Sequence, residues 1–123
     1  MYKLALVVGH SSERQGAVSP HLQVSEFAYW SKWAQDFAVA NDPEMTGFTA
    51  KVFYRPPNVG YGAQIRQGYA EVDEWGADAS VELHFNSAAQ KSAYGCEMLS
   101  SGSKLSMVMA AELQRNTIFY CYE

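Results

Sequence analysis

Cysteine is scarce in this chain of 123 residues: only Cys96 and Cys121 occur. Two thiols are too few for a disulfide framework, so an apolar core has to hold the fold, with at most one bridge to help. Positive charge is also in short supply, with 9 Lys and Arg against 13 Asp and Glu and a net charge of −4. A nucleic-acid binder needs a basic face to engage phosphates, so nucleic acid is not an expected partner. No polybasic patch is offered to an anionic membrane either. No run approaches the roughly 20 apolar residues that cross a bilayer, so membrane insertion is not expected. The apolar stretch in MYKLALVVGH is too short for an export signal, and cleavage there would remove the first strand. Synthesis in the cytoplasm without an export signal of its own is the expectation. Internal repeats, low-complexity tracts and interdomain linkers are absent as well, which points to one domain over residues 1–123.

What is present is a good supply of apolar material. Hydrophobic residues make up 48% of the chain and aromatics 14%, enough for a globular core. Lys3 to Val8 reads as a buried strand closed by Gly9, and the polar, glycine-containing stretch from Ser11 to Ser19 as a loop. From Leu22 to Ala40, Phe27, Trp30, Ala34 and Phe37 recur at helical steps, and Pro43 marks the stop. Thr49 to Tyr54 reads as a second strand. A second helix is expected from Tyr61 to Trp75, with Tyr61, Ile65, Tyr69, Val72 and Trp75 on one side. Ala79 to Phe85 and Tyr94 to Leu99 follow as strands. A third helix is expected from Ser103 to Arg115, carrying Leu105, Val108 and Met109 inward, and the aromatic tail TIFYCYE as a last strand. Strands alternating with helices of this length predict an α/β fold, a mostly parallel sheet flanked by helices.

In such sheets functional groups gather where strands end. His10 ends the first strand, His84 lies near the end of the third, and Glu26 stands just past the first loop, close to the start of a helix. Two imidazoles and one carboxylate are a suitable ligand set for a catalytic zinc with a fourth position open. Taken singly, a strand-end histidine is more often structural, and a first-turn glutamate usually serves the helix dipole.

The ordered combination resembles a known family. VVGHSSERQGAVS followed by Glu26, then RQGYAEVDEWGADASVELHFNSA, then YGCEML, is similar to the zinc-dependent N-acetylmuramoyl-L-alanine amidases of peptidoglycan. The matching positions are Gly9-His10, Gly16-Ala17, Glu26, Arg66, His84-Phe85-Asn86, Gly95 and Ser103. The resemblance implies zinc as cofactor, held by His10, Glu26 and His84, and peptidoglycan as partner. It also implies hydrolysis of the amide between N-acetylmuramic acid and L-alanine. The chain departs from the family at Arg14, where an aspartate is usual, and in its C-terminal part, which is shortened or absent.

That second departure bears on the general base, which in the family is a glutamate on a last strand. Glu123, which closes the apolar tail, is the expected base. Glu82 is an alternative, because strand residues two apart share a face and it should point with His84. The third alternative is a domain without a base. By the resemblance Arg66 ties its helix to the loop, with a solvated charge as the alternative. Asn86 either orients a ligand or caps the strand, His21 reads as an exposed loop residue, and Trp30, Trp33 and Trp75 read as packing aromatics. An exposed tryptophan among them would suit stacking on a sugar. A compact catalytic chain with no export signal or wall-binding module suits a phage or prophage lysis enzyme, an endolysin. The rival is a non-catalytic domain that holds zinc and recognises peptidoglycan or a protein.

Overall fold

A computed structural model of the protein describes residues 1–86 and 95–121, with side chains described through residue 116. The chain forms two compact units, Met1–Phe85 and Asn86–Glu123. The first holds β1 (Tyr2–Val8), α1 (Glu26–Ala40), the short α2 (Pro43–Thr46), β2 (Phe48–Tyr54), α3 (Tyr61–Trp75) and β3 (Ala79–Leu83). The second holds α4 (Lys104–Cys121).

The three strands form a parallel sheet in the order β2-β1-β3. β1 is central, and Ala5, Leu6, Val7 and Val8 are at most 3% exposed, so side chains pointing to both faces are buried. That is why its sequence is a continuous apolar run rather than an alternating one. Ala5 and Val7 pack with Phe53 and Val72, against Tyr69 and Trp75 of α3. Leu6 and Val8 pack with Ala34 on the opposite face, against Phe27, Trp30 and Phe37 of α1. The expected α/β architecture, a parallel sheet flanked by helices, is therefore present in the first unit.

Local chemistry moves several boundaries. α1 begins at Glu26 rather than near Leu22, because Ser25 takes the cap and its side chain accepts the Ala28 N–H. Ahead of it the backbone turns back on itself, with Gln23 N–H donating to Ser19 and Ser19 N–H to Val24. The segment after α1 contains a single helical turn, capped by Asp42, started by Pro43 and ended by Gly47 at φ 79°. On α3 the buried positions are Gln64, Gly68 and Val72, while Tyr61 is exposed at the first turn.

The second unit departs further from expectation. Residues 95–99 carry no strand, and Leu99 is 93% exposed; Tyr94 lies outside the described residues. α4 runs on through the first five residues of the tail expected to be a strand. Adding a residue to an existing helix costs far less than nucleating new structure, so the tail's β propensity is overridden. Leu105 and Val108 are exposed rather than inward, and Met109 is half-buried. Cys96 is a free thiol.

Candidate metal centre

Strand order decides where chemistry can collect. From β1 the chain crosses to β2 on one side, then returns by α3 to β3 on the other. The connections thus diverge at the carboxyl ends of β1 and β3, the switch point at which open α/β sheets form a crevice. His10 lies just past β1 and His84 just past β3, so both flank that crevice.

Glu26 reaches the same place from the N-terminus of α1. The loop before it is latched to the helix: Glu26 N–H donates to the Ala17 carbonyl at 2.9 Å, and Phe27 N–H to that of Gln15 at 3.1 Å. In return Ala17 N–H donates to Glu26 Oε1, and Phe85 N–H donates to Oε2, each at 3.1 Å. The carboxylate, in a residue only 6% exposed, is thereby fixed between the first loop and the end of the third strand.

Two glycines give the imidazoles their room. A Cβ on Gly9 would lie 2.3 Å from Cε1 of His84, so the His84 ring crosses the end of β1 only because that position has no side chain. A Cβ on Gly16, at φ 76°, would lie 2.7 Å from the His10 ring. His10 itself has φ 67°. A non-glycine residue in that left-handed region costs about 1–3 kcal/mol, and the latched loop holds it there.

The result is convergence. His10 Nε2 lies 2.9 Å from Glu26 Oε2, and His84 Nδ1 lies 3.5 Å from the same oxygen. One ligand atom from each of the three residues lies within 4.8 Å of the other two. Ligands about 2.0–2.1 Å from a tetrahedral zinc stand roughly 3.3 Å apart, so small side-chain adjustments would suffice to accept the ion. Two nitrogens and one carboxylate oxygen are donors that zinc takes, and the two imidazoles keep one side exposed to solvent. The residues fit the metal.

Behind His84 stands a second layer, of which the sequence points only to Glu82. Glu82 Oε1 lies 2.6 Å from His84 Nε2 and is also paired with Arg55 Nη2, while Oε2 accepts the Tyr69 hydroxyl. Arg55 is 6% exposed and follows β2 directly. By the strand-end criterion that selects His10 and His84, Arg55 qualifies equally, as the residue that directly follows β2. Glu82 and His84 do share a face, as their spacing predicts.

Charge follows from these contacts. Burial favours protonation of Glu26, but the Ala17 and Phe85 N–H groups, with His10 and His84 beside them, outweigh it and hold the carboxyl below its usual range. Burial also opposes ionisation of Glu82, yet the hydrogen bonds from His84 and Tyr69 and the Arg55 charge bring its pKa down to about 2. The hydrogen bond to Glu82 raises His84, against the opposing effect of burial. Burial and the same carboxylate raise Tyr69. With neutral imidazoles, two carboxylates against one guanidinium leave the cluster with a net negative charge that suits a cation.

Other expected residues stand apart. Arg66 is exposed on α3, and His21 is exposed in the loop before α1. Asn86 donates to Glu97 Oε2 at 3.2 Å within the second unit. Trp30 and Trp75 are half-buried, whereas Trp33 is 40% exposed and stacks on Phe37. Phe85, next to His84, packs at an angle against Tyr29 and edge-on against Trp30, with ring centroids 5.4 and 6.2 Å away. Glu123 lies outside the described residues. No family model, curated protein or solved structure matches this chain.

Proposed function

We propose that His10, Glu26 and His84 hold a zinc ion and that the protein is a zinc-dependent N-acetylmuramoyl-L-alanine amidase acting on bacterial peptidoglycan. The observation that carries the metal reading is the meeting of three side chains from separate parts of the sequence around one carboxylate oxygen. The substrate comes from the ordered likeness to the amidases, which covers most of the chain. When bound, zinc supplies Lewis-acid chemistry, polarising an amide carbonyl and lowering the pKa of water to about 7.

The chain's own residues then have distinct tasks. Glu26 supplies the anionic ligand and, through Ala17 and Phe85, ties the ion's position to both the loop and the sheet. His10 and His84 supply neutral nitrogens and leave a solvent-facing side where a substrate amide would enter. Glu123 is the proposed base, taking a proton from the attacking water and returning it to the leaving amine of L-alanine. Glu82 is a poor base, because both its oxygens are engaged and its pKa is about 2. Among the described residues no helix is long and apolar enough to cross a membrane. Action on the wall as a phage or prophage lysis enzyme belongs to the same proposal.

A second reading, a zinc-holding domain without catalysis, is favoured by the commitment of Glu82 to three partners. Incubation of the zinc-loaded protein with purified peptidoglycan separates the two. An amidase releases new L-alanine amino termini, and Glu123→Ala lowers that rate about 10²–10⁴-fold. Zinc bound at one ion per chain with no new amino termini supports the second reading instead.

A further inference from the structure

Glu82 stands where two donors, the buried Arg55 and the half-buried Tyr69, already fix its role. The Arg55 guanidinium donates to Oε1 and has no acceptor to offer, and the Tyr69 hydroxyl donates to Oε2. The carboxylate facing His84 is therefore held as an acceptor. Its Oε1 lies 2.6 Å from His84 Nε2, which is the nitrogen pointing away from Glu26. The other nitrogen, Nδ1, lies 3.5 Å from Glu26 Oε2.

We infer that Glu82 is a positioning residue: clamped by Arg55 and Tyr69, it takes the proton of His84 Nε2 in a hydrogen bond and so turns a bare Nδ1 lone pair toward the cation site. Counting donors and acceptors decides between the two tautomers. An imidazole with its proton on Nδ1 would set the bare Nε2 against a carboxylate oxygen, two acceptors 2.6 Å apart. The opposite tautomer satisfies that contact and leaves Nδ1 facing Glu26, two acceptors that a shared cation reconciles. Ring orientation is fixed by the same contacts, since Gly9 admits the ring over the end of β1. A carboxylate behind a ligating histidine both orients the ring and makes the ligand more basic, and its loss typically weakens metal binding about 10–100-fold.

The metal half of this inference rests on the proposed zinc site, whereas the tautomer half does not, so the experiment reads them separately. In the metal-free wild-type protein, at a pH high enough to leave His84 neutral, nitrogen-15 NMR of labelled imidazoles distinguishes protonated from bare ring nitrogens. Protonated Nε2 and bare Nδ1 on His84 are expected. A proton on Nδ1 would overturn the inference whatever the protein does with zinc. The second arm titrates zinc into wild type, Glu82→Gln and Glu82→Leu. Gln keeps an acceptor oxygen and should stay within a few-fold of wild type, while Leu should bind about 10–100-fold more weakly. Equal affinity in all three would also overturn it. If wild type binds no zinc, the zinc proposal fails, and the NMR result alone decides the role of Glu82. Because the NMR arm needs no substitution, it stands even if Glu82→Leu does not fold.

Discussion

The two ends of the parallel sheet treat polar groups in opposite ways. At the amino end, Lys3 donates its backbone N–H to Asp78 and its ammonium to the Trp75 carbonyl, at 2.8 and 2.9 Å, and both bonds are exposed. At the carboxyl end, Arg55 and Glu26 are 6% exposed, and the carboxylates there are shared among several partners. Water can replace a partner at the first end but hardly at the second. The contrast shows that this sheet concentrates its expensive polar groups at one end, where removing one strands the others.

Arg55→Met should break that end most severely. It leaves Glu82 facing His84 and Tyr69 without its cation, and breaking a buried pair in this way costs about 3–5 kcal/mol, readable from urea unfolding. The pH dependence of stability should sharpen the same contrast. The folded pKa of Glu82 lies below its ordinary 4.5, so its stabilisation is present above 4.5 and lost as pH falls toward about 2. Glu26 adds in the same direction. His84 has the opposite sign: its raised pKa stabilises below 6.5 and that contribution disappears as pH rises through the folded value. Unfolding free energy measured across both windows should therefore fall toward acid and fall again, more gently, above neutrality. Stability unchanged between pH 4.5 and about 2 would contradict the network around Glu82.

Gly9→Ala should have a smaller effect on folding, about 1–3 kcal/mol, because the His84 ring can swing away from the added methyl. Its effect on zinc affinity should be the larger one, since the swing carries Nδ1 off Glu26. Smallest of all is Asp78→Ala at the amino end. It removes an exposed acceptor from the Lys3 backbone N–H and should cost no more than about 0.5–1.5 kcal/mol. An Asp78→Ala penalty equal to that of Arg55→Met would erase the distinction between the two ends.

The features readable from the sequence were those governed by local pattern. β1 announced itself as an apolar run because both its faces are covered, and His10 and His84 were placed because each directly follows such a strand. Glu26 was legible as a carboxylate next to a helix start, although the helix begins four residues later than Leu22 because Ser25 takes the cap. Arg55 and Tyr69 were not legible as partners of Glu82. Arg55 lies just beyond the second strand and Tyr69 on the apolar side of a helix, and only the return of α3 across the sheet brings them together. The tail misled for a different reason: its aromatic content suggests a strand, but at Thr117 the chain is already helical and propagation wins.

The claim on which the site depends is that His10, Glu26 and His84 act as one cation site. The measurement closest to it is zinc content by mass spectrometry, after equilibration with zinc and removal of free metal, for wild type, His10→Ala and His84→Ala. One zinc per chain in wild type and a large loss in both variants are expected. Stoichiometric zinc retained by either variant, or none in wild type, would contradict it.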